Sequence, residues 1–180
     1  MMLDLDIMQA ATLADVAMCV NHYRMSTLGL FVCVHAQVRL GDAVFVPGLV
    51  AQVNQGKFKQ CDPGDYDYFS GPPNFVFDVC HEEQRPEIER RRRAFEASGV
   101  IEYVLWNATE NQPVWLRLVE GKLIEVPMND GDIIESAALP GMRFPVTAFK
   151  ARDWWSIMAA TSYGITRQQH HDFMATIWKK

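Results

Sequence analysis

The chain has 180 residues, of which 49% are hydrophobic, and it carries a formal net charge of −5. This length suits one compact domain, which can bury roughly 70% of its unfolded surface without disulfide bonds. The acidic balance argues against a protein that coats nucleic acid, although it leaves room for one basic face.

The sequence predicts a cytoplasmic protein with no membrane partner. The N-terminal segment "MMLDLDIMQAA" carries acidic residues where a signal peptide needs basic ones, and apolar runs such as "LGLFVCV" are too short to span a bilayer. The four cysteines form no CxxC and no metal-ligand spacing, so we expect reduced thiols that pack in the interior. These cysteines are Cys19, Cys33, Cys61 and Cys80.

The first part of the chain predicts a helix, two strands and a long loop. Apolar residues recur at helical spacing from about Thr12 to Met25, and "LFVCVHAQVRL" then alternates as a half-buried strand. After a turn at Gly41-Asp42, "AVFVPGLVAQV" returns as a second strand that Pro47 interrupts. The next 20 or so residues are rich in Gly, Pro, Asp and Asn, and predict either a binding loop or a surface excursion.

The middle of the chain predicts a strand, a helix and a strand. "NFVFDVC" is followed by a helix from Pro86 to Ser98, which Gly99 closes, and by "VIEYVLW". This order is typical of a right-handed crossover between parallel strands. "PVWLRLVEGKLIEV" then predicts a hairpin, and the residues after Ala151 predict two short helices broken at Tyr163-Gly164. The fold class is α/β, a mixed sheet flanked by helices.

Two opposite charges fall on surfaces that should be buried. Asp78 interrupts an apolar strand, and Arg91 lies on the stripe of the helix that also holds Ile88 and Phe95. A buried carboxylate must be paired, bind a metal or be protonated. The guanidinium of Arg91 either pairs with a carboxylate or reaches water while the aliphatic part of the side chain packs on the core. We predict that Asp78 and Arg91 contact each other in the gap between strand and helix.

Several segments together resemble a bacterial family of restriction endonuclease-like proteins of unknown function, a branch of the PD-(D/E)XK nuclease superfamily. The segments are "PPNFVFDV", "RRRRAFEASGVIEYVLW" and "IIESAALPGMRFPVTAF", and the resemblance covers about Val32 to Phe149. It implies a restriction-endonuclease-like domain over residues 1–150. The helical residues 151–180 then form a C-terminal extension that packs on this domain or on a dimer partner. The resemblance also implies Mg²⁺-dependent cleavage of DNA by two carboxylates and a lysine, with the metal activating water.

This chain departs from the family pattern at each catalytic position. The resemblance places Gly48 where the first carboxylate belongs, Asp78 where a glutamate belongs, and Arg91 where the lysine belongs. Arginine cannot give up a proton, and its planar fork pairs with carboxylates. The catalytic residues would therefore be Asp78 and Arg91, and a weak Mg²⁺ site would need Asp78 with Glu82 or another nearby acid such as Asp42.

Three functions remain open from the sequence. The chain is an endonuclease with an unusual site, a nuclease-fold binding or assembly module that has lost catalysis, or a structural homodimer. The degenerate catalytic positions favour the second function, with weak or absent cleavage. DNA is a possible partner through the resemblance, and the aromatic tail, with Trp154 and Trp155, either caps the core or forms a dimer surface. His170 and His171 are adjacent on a helix, and we expect both at the surface.

Overall fold

A computed structural model describes residues 5–63, 67–127 and 132–178. The α-helices of these residues are α1 (Ile7–Met25), α2 (Arg85–Ser98), α3 (Val146–Lys150), α4 (Trp154–Ile165) and α5 (Gln168–Trp178). The strands are β1 (Leu30–Val34), β2 (Val38–Leu40), β3 (Ala43–Phe45), β4 (Leu49–Val53), β5 (Phe69–Ser70), β6 (Phe75–Cys80), β7 (Glu102–Asn107), β8 (Gln112–Val119), β9 (Lys122–Glu125), β10 (Ile133–Glu135) and β11 (Arg143–Pro145).

The main sheet has the strand order β1-β4-β6-β7-β8-β9. Its neighbours are antiparallel except β6 and β7, which run parallel and pair Val76 with Tyr103 and Asp78 with Leu105. α2 connects these two strands, so the predicted crossover is confirmed, as is the α/β fold class with a mixed sheet. A second sheet, β3-β2-β5, and a short hairpin, β10-β11, complete the described sheets.

The main sheet buries both of its faces. On β6, Phe75, Phe77 and Val79 belong to a core that includes residues of α1, α3, α4 and α5. Val76 belongs to a second core, with α2 and the small β3-β2-β5 sheet. Because side chains alternate along a strand, Asp78 lies on the same face as Val76 and points toward α2.

Local signals set the ends of the two long helices. The side chain of Asp6 accepts a hydrogen bond from the backbone N–H of Gln9, and the Gln9 side chain accepts one from the Asp6 N–H. This capping box starts α1 at Ile7, five residues before the predicted start. Pro86 lies in the first turn of α2, and Gly99 ends that helix with a φ of 94°.

The predicted strand over residues 30–40 is wrong as a single element. It divides into β1 and β2 at His35, which has a φ of 51°, in the left-handed region. β1 pairs in the main sheet and β2 in the small one, so the chain changes sheets at this break. The predicted interruption at Pro47 is confirmed, because β3 and β4 likewise belong to different sheets. The hairpin at Glu120-Gly121 is confirmed as well.

The C-terminal helices pack against the rest of the protein. α4 contacts α1 and β11, and α5 contacts the short 3₁₀ helix at Gly56–Phe58. The break between α4 and α5 comes at Thr166-Arg167, since α4 continues through the predicted break at Gly164. Phe173 and Ile177 of α5 are buried in the core on the α1 face of the sheet. The extension is thus part of one packed structure with the preceding elements.

His170 is a correction to the sequence analysis. Its ring is buried, contacts the Tyr23 ring edge-on at a centroid distance of 5.4 Å, and lies within hydrogen-bond distance of the carbonyl oxygens of Pro140 and Ser26. His171 is exposed, as expected. The prediction failed for His170 because a helix presents successive residues in different directions, and only one of them faces the core.

All four cysteines are free thiols. Burial raises the pKa of Cys19 and of Cys61 to about 12, and that of Cys80 to about 11. Within the described residues, no helix combines the length and the apolar character that crossing a membrane requires.

Candidate functional site

Asp78 lies on a central strand of the main sheet, beneath α2. Only 1% of the residue is exposed to solvent. On one side its backbone pairs with Leu105 of β7, and on the other side the pairing of β6 with β4 ends one residue earlier, at Phe77. Its carboxylate therefore sits in a low-dielectric interior and must be satisfied by neighbouring groups.

Arg91 supplies the main partner from α2. The residue is fully buried, and its Nη1 donates to both carboxylate oxygens of Asp78, at 3.1 Å to Oδ1 and 3.0 Å to Oδ2. Its Nε donates to Oε1 of Glu87, one helical turn earlier, at 3.0 Å. The predicted contact between Asp78 and Arg91 is confirmed, and the alternative of an arginine head in water is wrong.

Two further donors complete the surroundings of Asp78, and the sequence analysis identified neither. The hydroxyl of Tyr103 on β7 donates to Oδ2 at 3.0 Å, and the backbone N–H of Gly48 donates to Oδ1 at 2.7 Å. The signal for Tyr103 was the predicted crossover, which makes β7 the parallel neighbour of β6. Each oxygen of Asp78 thus accepts two hydrogen bonds, which uses the four acceptor positions of a carboxylate.

The electrostatics of the cluster follow from burial and pairing. Burial disfavours the charged form of Arg91, but attraction to Asp78 and the hydrogen bond to Glu87 outweigh it, so the pKa of Arg91 is raised. Burial and the neighbouring Asp78 charge raise the pKa of Tyr103 well above its ordinary value, which keeps its hydroxyl a proton donor. Hydrogen bonds from Arg90 first, and from Arg91, lower the pKa of Glu87.

Gly48, where the resemblance places a first carboxylate, has little room for a side chain. A Cβ atom added to Gly48 would lie 3.0 Å from the backbone oxygen of Phe77 and 3.2 Å from Cδ1 of Leu13 on α1. Both distances are shorter than ordinary van der Waals contact. A side chain at residue 48 would therefore require the backbone at Phe77 and the Leu13 side chain to move by a few tenths of an ångström.

The residues around Asp78 do not fit a magnesium ion. Mg²⁺ takes oxygen ligands, commonly one or two carboxylates with waters, and the lone pairs of Asp78 are already engaged. Glu82 lies in a short 3₁₀ helix after β6, where its side chain is 67% exposed and pairs with Arg85 at 2.8 Å. Asp42 is exposed in the β2–β3 turn. The structure brings neither acid to Asp78.

Over the described ranges 5–63, 67–127 and 132–178, no group of three or more His, Cys, Asp or Glu side chains is arranged to hold a metal ion. This agrees with the local geometry around Asp78. Without a metal, the site can hold β6, β7 and α2 in fixed relation, because the carboxylate on β6 accepts hydrogen bonds from α2, from β7 and from the backbone of Gly48.

A second buried carboxylate, Glu102, is also fully paired. Arg117, its partner across the β7–β8 pair, donates to Oε1 through Nε and Nη2 at 3.0 and 2.8 Å. The Ser136 hydroxyl donates to Oε2 at 2.5 Å, and the backbone N–H groups of Ala137 and Ala138 donate at 2.9 and 3.2 Å. These contacts tie the segment after β10 to the start of the central strand β7.

Comparisons with known proteins agree with this fold. A family model described as "Uma2: Putative restriction endonuclease" matches residues 9–147. The chain is also similar to a crystal structure described as "a putative nuclease belonging to DUF820" from Anabaena variabilis, with a TM-score of 0.64, 9% identity and 84% of each chain covered. At that identity the likeness concerns the fold alone. No curated protein matches the sequence.

Proposed function

This chain belongs to the Uma2 family of restriction endonuclease-like proteins, and on that basis we propose that it keeps the nuclease fold without metal-dependent cleavage. It works instead as a binding or assembly module. The observation that carries the proposal is the carboxylate of Asp78, whose two oxygens accept four hydrogen bonds from Arg91, Tyr103 and the Gly48 N–H.

The substitutions at Gly48 and Arg91 both act against the binding of a metal ion. In the family pattern, two carboxylates and a lysine would leave oxygen lone pairs for a cation and a compact ammonium beside it. Here the first carboxylate is missing at Gly48, and Arg91 donates to both oxygens of the remaining one, Asp78. Opening this pair for a metal would separate the buried Arg91 charge from Asp78, and breaking a buried ion pair typically costs about 3–5 kcal/mol. Metal binding at Asp78 is therefore strongly opposed.

The test is a cleavage assay on the purified chain. Plasmid and single-stranded DNA are incubated with Mg²⁺ or Mn²⁺, and we expect no cleavage above that of a preparation of Asp78→Asn, which keeps the shape of the side chain. Robust cleavage that a folded Asp78→Asn variant lacks would contradict the proposal and would make Asp78 catalytic. Cleavage that Glu82→Gln abolishes would identify Glu82 as the missing metal ligand.

A restored variant sharpens this test. Gly48→Asp with Asp78→Glu and Arg91→Lys rebuilds the family's catalytic set, and Leu13→Ala makes room for the new Asp beside α1. We expect this variant, if it stays folded by circular dichroism, to bind Mn²⁺ in calorimetry where the parent chain does not. Equal Mn²⁺ binding by the parent chain would show that Asp78 is available to metals. It would contradict the proposal that the hydrogen bonds to Asp78 exclude a metal ion.

The partner of such a module remains to be identified by binding experiments. DNA is the candidate that the family description suggests, but several α2 arginines are paired with glutamates: Arg85 with Glu82, Arg90 with Glu87, and Arg92 with Glu89. This pairing weakens a basic face, so we expect DNA binding to be weak in a mobility-shift titration, with a shallow salt dependence because few phosphates are neutralised.

A second copy of the chain is the other candidate partner. Trp155 at the start of α4 is 84% exposed, and large exposed aromatics are enriched at interfaces. Sedimentation of the parent chain and of Trp155→Ala tests this: we expect a concentration-dependent dimer that the substitution weakens. A parent chain that stays monomeric at high concentration would leave nucleic acid or a different protein as the partner.

A further inference from the structure

A cavity of about 230 Å³ opens beneath α2, on the same sheet face as Asp78 but two residues farther along β6. Cys80 and Asn107, at the carboxyl ends of β6 and β7, lie at its wall. In α/β sheets, ligands bind preferentially outside the carboxyl ends of the parallel strands. Asp78 does not line the cavity, so ligand binding there is independent of whether the chain cleaves DNA.

The floor of the cavity is apolar. Ile88 of α2, Leu105 of β7 and Leu116 of β8 are buried, and Val114 beside them is half-buried. These side chains are aliphatic and branched, and their surfaces meet at the bottom of an opening that reaches solvent. An aliphatic group of similar size would remove apolar surface from water on both sides if it entered here.

The rim of the cavity carries two charges of each sign. Arg85 pairs with Glu82 at 2.8 Å, and Arg92 lies 4.0 Å from Glu89. All four side chains are substantially exposed, and ion pairs in such positions are held weakly. A ligand that carries a carboxylate and an ammonium can therefore exchange partners with them without leaving a charge unpaired.

One polar side chain of the cavity wall, that of Asn107, can donate a further hydrogen bond. The side-chain oxygen of Asn107 accepts hydrogen bonds from the backbone N–H groups of Thr109 and Glu110 at 3.0 and 3.2 Å, which fixes the amide. Its Nδ2 group makes no hydrogen bond within the part of the chain that the structure describes. A carboxylate placed near Arg92 could accept from this nitrogen as well.

From these features we propose that the cavity binds a small zwitterion with an aliphatic arm, of which a free apolar α-amino acid is the simplest example. The aliphatic arm packs on Ile88, Leu105 and Leu116. The carboxylate pairs with an arginine of the rim and the ammonium with a glutamate. The two arginines and the two glutamates of the rim sum to no net charge. They therefore favour a ligand that carries one charge of each sign.

The experiment compares three matched probes by titration calorimetry and by amide chemical shifts of the full chain. L-leucine carries both charges, 4-methylpentanoate lacks the ammonium, and 3-methylbutylamine lacks the carboxylate. We expect saturable leucine binding with shifts at Leu105 and Asn107, and about tenfold weaker binding of each analogue, which corresponds to one lost charged contact. Equal affinity for either analogue, or no saturable shift with leucine, would overturn the proposal.

Variants locate the binding. Arg92→Gln should weaken leucine binding about tenfold, and Val114→Trp should abolish it by filling the cavity. The matched control is Arg93→Gln, the next residue of α2, which is exposed and does not line the cavity. If Val114→Trp does not fold, Arg92→Gln against Arg93→Gln decides the question. Equal leucine binding by all folded variants would contradict the assigned site.

Discussion

At the scale of single residues, Asp78 and Arg91 are two charges in the core that pair with each other. Either charge alone would be destabilising there. Asp78 is held by groups from α2, from β7 and from Gly48, and Arg91 in turn is held by Glu87. Two buried opposite charges gain little over an apolar pair of the same volume, because both had to leave water. Removing one partner is nevertheless strongly destabilising, because the other charge stays buried.

A double-mutant cycle on this pair tests the coupling. We expect Asp78→Ala and Arg91→Ala each to lower the free energy of unfolding by about 3–5 kcal/mol, because the remaining charge is left buried. The double mutant should cost much less than the sum. Urea denaturation measures all three, with Arg93→Ala as an exposed control that should change stability by less than about 0.5 kcal/mol. Simple additivity would mean that the two charges do not interact.

At the scale of elements, α2 is defined by the signals at its two ends and by its ion pairs. Pro86 lies in its first turn, and Gly99 ends it in the left-handed region. Glu87 pairs with Arg90 at 2.7 Å and with Arg91 at 3.0 Å. The ends of α2 and the ion pair with Glu87 therefore fix the position of the Arg91 side chain against Asp78.

The end of α2 gives one prediction. Gly99 has a φ of 94°, and a Cβ atom added there would meet no atom within 4 Å, so the cost of a substitution is conformational alone. Gly99→Ala should lower the free energy of unfolding by about 1–2 kcal/mol, and Gly99→Asn by less, since asparagine tolerates this region. Thermal denaturation compares the two; equal losses would point to a lost contact and not to backbone strain.

The ion pairs of α2 give a prediction on pH. The pKa of Glu87 lies below its ordinary value of 4.5 because Arg90 and Arg91 donate to it. Its contribution to stability is therefore complete above pH 4.5 and is lost as the pH falls through the lower folded-state pKa. Glu87→Gln should be less stable than the parent at neutral pH, and the difference should shrink in urea titrations below pH 4.5. A difference that grows on acidification would contradict this assignment.

At the scale of the whole molecule, the C-terminal helices close the core on the α1 side of the main sheet. Phe173 and Ile177 belong to that core, and His170 packs on Tyr23 of α1. The contact between α4 and the segment before β11 is especially close. A Cβ atom on Gly164 would overlap the backbone oxygen of Gly141, which leaves no room for any side chain.

This close approach predicts that the C-terminal helices are required for the stability of the whole fold. Gly164→Ala should lower the free energy of unfolding by about 3 kcal/mol, because backbone must move to relieve the overlap. Ala159→Ser, on the exposed side of the same helix, is the control and should change it by less than about 0.5 kcal/mol. A single unfolding transition that shifts with Gly164→Ala is expected; a small loss confined to α4 would show that these helices fold separately.

The sequence alone determined the elements whose signals are local. Pro86 and Gly99 bounded α2, the alternation in "NFVFDVC" placed Asp78 on the face toward that helix, and the strand–helix–strand order made β6 and β7 parallel neighbours. The pairing of Asp78 with Arg91 followed, because a buried charge needs a partner and the helical stripe offered one.

Only the tertiary structure decided the rest, because those features depend on residues far apart in the chain. The break at His35 arises from the chain's passage between two sheets, and the burial of His170 from the docking of α5 near α1. Tyr103 reaches Asp78 through the register of two strands, and Leu13 of α1 closes the space at Gly48. Such contacts follow from how whole elements pack against one another, and no local pattern encodes that packing.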